Sequence, residues 1–418
     1  ATFELYTREL PNTRSFLLAA GLEQALHYAL NVGFSDTDLE YLKDLQVFKS
    51  VDSKFFDYLK DFRFTGDIWA MPEGTVFFEN EPILQVRAPV IEAQIVETYL
   101  INILNFQSMV ASKATRMCLA AKGRKVVDFG SRRAHGPQAG VLAARAAFIG
   151  GCDGTSNVLA GRELGVPVFG TMAHSFVQFF DHETDAFKQF QKVFPDNTIV
   201  LVDTYDSIRG IEKTLGLDLD FRGIRLDSGD VGELAVTARE LLDKAGKQDA
   251  LIFVSGNLDE QKLLYYSLRD LPIDGYGVGT DLVVSADAPG CDLVYKLVET
   301  SHEEKSVPKF KASEDKVSYP FRKQILRRKA NEFLEDDLVV GWDEEFDSAE
   351  RTPLLKQFIA SGKLVAELPD IWTIQETVQQ QLSTLPTPLK HLHSTEVYPV
   401  RISESLQESL KTLTSELT

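Results

Sequence analysis

The 418 residues exceed what one compact core usually holds and imply roughly two to three domains. Hydrophobic residues make up 44% and charged residues 25%, a globular balance that argues against long disordered stretches. The formal charge of -18, with a pI near 4.9, argues against nucleic acid or an anionic membrane as a partner.

Cys118, Cys152 and Cys291 are scattered, with neither metal-type spacing nor a disulfide framework, so a reducing, cytoplasmic setting is expected. No apolar run is long enough to span a bilayer; the best, 141–151, is interrupted by Arg145. The start carries no signal-peptide pattern. It opens at Ala1 in a strand-like run without an initiator Met, and the chain is expected to lack its natural start.

In chain order, residues 1–110 mix strands (75–79 and 83–87) with amphipathic helices, and 91–104 reads as a helix leading into the next unit. From about 125 to 280, short β-branched apolar runs end in Gly, Asp, Ser or His. They start at Val126, Val166, Thr198, Gly223, Leu251 and Ile273. Between the later runs, 232–246 and 258–270 carry apolar residues at three- and four-residue steps, as amphipathic helices do. Strand–helix alternation at this spacing implies a parallel sheet covered by helices. A doubly wound open sheet gathers its ligands at one switch point. Here polar residues end all six runs, which favours a β/α barrel with its site at that rim. The expected division is 1–110, 111–295 as the barrel, and 296–418. The two flanks then form one α+β domain plus a helical tail.

Several strand ends offer chemistry. Phe129 to Gly136 (FGSRRAHG) supplies a ring to stack on a flat ligand and guanidiniums to pair with its carboxylate. Neighbouring Arg132 and Arg133 should point to different sides, so only one faces a ligand; a plain surface loop is the alternative. His174 follows a strand and suits an acid, a base or a phosphoryl acceptor, although most isolated histidines are structural. In RLDSGD (225–230), Asp227 suits Mg²⁺ arriving with substrate phosphates and Arg225 suits an anion. Equally, Asp227 caps the next helix and Arg225 pairs with it. Ser255-Gly256-Asn257 forms a small polar rim, and the backbone N–H groups of GVGT (277–280) suit a phosphate monoester.

Taken as a set, these stretches resemble nicotinate phosphoribosyltransferases. With them match GGCDGTSN (150–157), GTMAHS (170–175), VDTYDS (202–207) and SGNLDE (255–260). Upstream, FRFTGD (62–67), EGT (73–75) and ILNFQS (103–108) also match. The resemblance covers most of residues 1–300 and weakens through the tail. It implies an irregular β/α barrel packed against an α+β domain built from both chain ends, working as a homodimer. It further implies transfer of the phosphoribosyl group of phosphoribosyl pyrophosphate (PRPP) to nicotinate, coupled to ATP hydrolysis, with Mg²⁺.

By the same resemblance His174 is the transiently phosphorylated histidine, and Thr171 and Arg225 contact nicotinate. Phe129 and Arg132 are the stacking and anion-binding pair. Asp203 and Asp227 lie near Mg²⁺ and the ribose. Gly256 and Asn257 join Gly279 and Thr280 in holding phosphate. The related nicotinamide enzyme carries an aspartate where Ser156 aligns. Serine removes the repulsion an aspartate exerts on a carboxylate, which favours nicotinate. The family usually begins with a T-D-x-Y segment whose tyrosine stacks on the pyridine ring; none precedes Phe3, in keeping with an omitted start. Nicotinamide or quinolinate transfer on the same scaffold, and a non-catalytic nucleotide-binding relative, are the alternatives.

Overall fold

The computed structural model describes residues 1–302, 305–313 and 316–417. Six parallel strands form a barrel-like sheet in the order Gly154–Thr155, Lys125–Asp128, Gly275–Val278, Leu251–Ser255, Gly223–Leu226, Ile199–Leu201. Helices such as Val231–Lys244 and Glu260–Leu268 follow the strands and cover the sheet, so the strands are buried on both faces. Val126, Val200, Leu201, Ile224, Ile252, Val254 and Tyr276 are all at most 1% exposed.

The apolar run beginning at Val166 differs from expectation: it joins the sheet only through an isolated bridge between Thr155 and Val168. Pro167 has no N–H to donate, and the pairing there is two bonds to one residue, Thr155 N to Pro167 O and Phe169 N to Thr155 O, both 2.9 Å. Gly154–Thr155 takes the edge position instead.

The flanking segments interleave. A seven-stranded antiparallel sheet places Thr2–Thr7 between Leu293–His302 and Leu84–Arg87, followed by Asp67–Ala70 and Lys356–Ala360. A four-stranded sheet of Arg351–Pro353, Lys323–Ala330, Phe333–Gly341 and Val400–Ile402 completes this body. The expected α+β body from both flanks is therefore present.

One helix joins the two bodies. Val90–Ala121 has 32 residues and is ~48 Å long at 1.5 Å per residue. The helix expected over 91–104 thus runs on for 17 more residues, through position 110. Its first half sends Val96, Leu100 and Ile103 into the core beneath the antiparallel sheet. Its second half sends Val110, Ala114, Met117 and Ala121 into the barrel core. The three- and four-residue spacing is that of one helical face. Arg145, on the helix Pro137–Ile149 and 0% exposed, ties the bodies together through Glu73, Glu23 and Gln107. No helix among the described residues is long and apolar enough to cross a membrane.

Candidate active site

The carboxyl ends of the parallel strands open into a cavity of about 450 Å³. One wall begins with Asp128, a fully buried carboxylate at the end of its strand. It accepts hydrogen bonds from Gly130 N and Thr155 Oγ1, both at 2.7 Å, and so orders two neighbouring loops. Burial pushes its pKa up against those two bonds. Phe129 follows, its ring laid over Gly277, where a Cβ would stand 2.6 Å from the ring. Only glycine leaves that ring its place.

Arg225 is the hub of the opposite wall. Its guanidinium carbon is 5.4 Å from the Phe129 ring centroid, within cation–π range. Nη1 donates to Thr171 Oγ1 at 2.8 Å, Nη2 to Asp227 Oδ1 at 2.7 Å, and Nε to Ser255 Oγ at 2.8 Å. Ser255 Oγ also donates to Asp227. Burial alone would raise the Asp227 carboxyl, but Arg225, with the bonds from Ser255 and His174, holds it below the usual range.

The chain of contacts continues to His174, the first residue of the short helix His174–Gln178. Its Nε2 lies 3.4 Å from Asp227 Oδ2 and its Nδ1 3.2 Å from Thr204 Oγ1. The ring is gripped on both sides yet its side chain is 38% exposed, open to a reactant. Asp203 stands behind: its Oδ2 accepts from Asp227 N at 2.7 Å and Ser228 Oγ at 2.8 Å. Its Oδ1 is buried without a partner.

The remaining edge is backbone. Gly256 (φ +93°) and Asn257 (φ +46°) turn the chain sharply after their strand, and Gly279 and Thr280 do so after the next. A Cβ on Gly256 would meet Asp227 O at 2.0 Å. Gly256→Ala is therefore expected to lower stability by about 1–3 kcal/mol and to displace Asp227. Denaturant unfolding checks the first effect and pyrophosphate titration the second, which should show weaker binding.

Of the residues singled out in the sequence, Phe129, Arg132, Arg225, Asp227, Gly256, Asn257, Gly279 and Thr280 line this cavity. Thr171, His174 and Asp203 join through the hydrogen bonds above. Ser156 does not: it is exposed at the end of the edge strand, held by its N–H to Asp128 O at 2.8 Å. Arg133 corrects the expectation that only one of two arginines faces inward. Both line the cavity, because Ser131–Arg133 is a 3₁₀ turn whose successive side chains are only roughly 120° apart. Asp281, also on the wall, and its partner Lys113 carried no local signal; their pairing spans 168 positions (281 minus 113).

Among the described residues no group of three or more His, Cys, Asp or Glu stands ready for a metal. Asp227 on the wall and the unpartnered Asp203 Oδ1 fit an ion such as Mg²⁺, which takes one or two carboxylates when substrate phosphates complete its shell.

Comparison with known proteins points the same way. A family model described as the nicotinate phosphoribosyltransferase N-terminal domain matches residues 1–105. One for the C-terminal domain of quinolinate phosphoribosyl transferase matches 110–289. One for the nicotinate phosphoribosyltransferase C-terminal domain matches 335–410. A nicotinate phosphoribosyltransferase of Mycobacterium tuberculosis is 44% identical over 99% of this chain and 89% of its own. That of Bacillus subtilis is 38% identical over 97% and 88%. The crystal structure of human nicotinic acid phosphoribosyltransferase superposes with a TM-score of 0.88 at 27% identity, covering 99% of this chain and 95% of that one.

Proposed function

The chain belongs to the nicotinate phosphoribosyltransferase family, and from that premise we propose the division of labour by which its residues make nicotinate mononucleotide and pyrophosphate from nicotinate and PRPP for NAD salvage. The observation that carries the assignment is the unbroken contact chain Thr171–Arg225–Asp227–His174 at one wall of the cavity.

Nicotinate stacks on Phe129, its carboxylate toward Arg225, Thr171 and Arg132. Ser156 lies outside the cavity wall and brings no charge of its own to it. The phosphates of PRPP lie along the backbone edge at Gly256, Asn257, Gly279 and Thr280. As the ribose C1–O bond breaks and pyrophosphate leaves, positive charge grows on the ribose before its bond to the pyridine nitrogen is complete. Asp227, kept ionised by Arg225, and Asp203 behind it stabilise that charge. Asp227 and Asp203 would hold Mg²⁺, which would supply positive charge to offset that of the departing pyrophosphate.

ATP enters as co-substrate. Its γ-phosphoryl group passes to a ring nitrogen of His174, releasing ADP, and water later removes it as phosphate. His174 lies within 3.4 Å of Asp227, so its charge state is felt where PRPP reacts. That coupling drives the equilibrium toward product. We assign the enzyme to the cytoplasm and to a homodimer, for which light scattering at working concentration is the check.

The test is mononucleotide formation from PRPP and Mg²⁺ with nicotinate, nicotinamide or quinolinate, each with and without ATP. Turnover of nicotinate alone, accelerated by ATP, is expected. His174→Ala should keep the fold, because this part-exposed side chain adds little to the core, and should lose the ATP acceleration. Full ATP stimulation in a folded His174→Ala protein would sink its role as phosphoryl acceptor.

A further inference from the structure

Beneath the phosphate edge lies a buried charge cluster with no part in the chemistry above. Lys113 sits in the second half of the long helix Val90–Ala121, its side chain 1% exposed. Its ammonium touches Glu260, Asp281 Oδ1 at 2.5 Å and Asp287 Oδ1 at 2.9 Å. Two of these partners belong to the cavity loops. Glu260 directly follows the 255–259 loop and begins the helix Glu260–Leu268. Asp281 directly follows Thr280, lines the cavity and is 28% exposed at its side chain.

The charges balance. Arg116 Nε reaches Glu260 Oε1 at 3.2 Å and Arg14 Nη2 reaches Asp287 Oδ1 at 3.0 Å, so three cations meet three carboxylates. Burying an ammonium is costly unless it is fully paired, and a methionine would fill the same helix position without that cost. What a methionine lacks is the charge. Asp281 turns a carboxylate toward a cavity built for phosphates; uncompensated, it repels them. Lys113 cancels that charge from below and ties both phosphate loops to one rigid helix.

We propose that Lys113 is a positioning residue for PRPP, acting through Asp281 to set the potential over the 255–259 and 279–281 loops. The inference rests on reading Gly256, Asn257, Gly279 and Thr280 as the phosphate edge.

The test compares Lys113→Met, Asp281→Asn and the double variant in the full chain. Steady-state kinetics and a calorimetric titration with ribose 5-phosphate supply the readouts. Lys113→Met should raise KM for PRPP about tenfold, leave KM for nicotinate within about twofold, and weaken ribose 5-phosphate by the same factor as PRPP. The double variant, neutral at both positions, should recover most of that loss. Asp281→Asn alone keeps the lysine and removes a repelling carboxylate, so it should lower KM for PRPP about two- to threefold; it decides the matter if Lys113→Met fails to fold. A folded Lys113→Met with PRPP KM near that of the unaltered enzyme overturns the proposal, as does Asp281→Asn with KM unchanged or raised. Absence of nicotinate turnover by the unaltered protein overturns the proposed function instead, and the ribose 5-phosphate titration still decides the role of Lys113.

Discussion

Asp227→Asn is expected to lower kcat/KM by roughly 10²–10³-fold in a protein that stays folded. The substitution keeps shape and volume, so the cavity wall stands. What it removes is a charge shared among Arg225, Ser255 and His174. Without that charge Arg225 is unbalanced, and the growing positive charge on the ribose loses its nearest carboxylate. The pH profile gives a second readout. Arg225 and the neighbouring hydrogen bonds outweigh burial and depress the Asp227 pKa in the folded protein. A carboxylate depressed in this way takes its proton at a lower pH than a free one. An acid limb of kcat/KM above the ordinary carboxylate range therefore belongs to another group and should persist in Asp227→Asn. Circular dichroism establishes the fold, and initial rates with nicotinate and PRPP measure the loss. A variant within about tenfold of the unaltered enzyme would remove Asp227 from the chemistry.

Arg145→Met should be strongly destabilising, by about 3–5 kcal/mol, because it strands the buried carboxylate of Glu73. Arg145 donates to both oxygens of Glu73 at 2.8 Å and to Glu23 at 2.7 Å. Burial would raise the Glu73 pKa, but Arg145 and the backbone bonds from Gly21 and Glu23 hold it down. A depressed carboxylate contributes stability that is present above its unfolded pKa and lost as pH falls through the folded value. In the variant the sign reverses: burial now dominates, Glu73 takes up a proton as pH falls, and the deficit should shrink. Denaturant unfolding near pH 7.5 and near pH 5 measures both terms. A deficit unchanged between them would mean that packing, not the stranded charge, is what was lost. Adding Glu73→Gln should recover part of the stability at the higher pH.

The barrel was legible because each strand is a short run of residues buried on both faces and each ends where the polar rim begins. The run at Val166 looked the same, but Pro167 deprives it of a ladder bond, and two residues at Gly154–Thr155 are too short a strand to show any periodicity. The long helix was under-read for a different reason. After Leu104 its sequence brings Asn105, Gln107, Ser108, Ser112, Lys113 and Arg116, polar residues that interrupt the apolar spacing. Five of the six are buried and find partners elsewhere: Ser112 Oγ accepts from Leu18 N, Ser108 Oγ from Ala20 N, and Arg116 pairs with Glu260. Local polarity cannot reveal a partner in another part of the chain. The same logic divides the site. Arg225, Asp227 and His174 announce themselves as charged or titratable residues at strand ends, whereas Lys113 has meaning only once the fold brings Asp281 above it.

The interleaved antiparallel sheet has a consequence for how the molecule is born. Thr2–Thr7 is made early, yet one of its two neighbours, Leu293–His302, follows almost 300 residues later. The barrel, whose contacts are closer in sequence, can condense while that strand, paired on one side with Leu84–Arg87, still waits with its other edge open. At some 5–20 residues per second of synthesis the wait lasts on the order of 15–60 s. During that time the backbone edge that will meet Leu293–His302 is exposed, and Phe3 lacks the Tyr295 ring on which it stacks. Yield in a cell should therefore depend on what shields that open edge as much as on the stability of the finished fold.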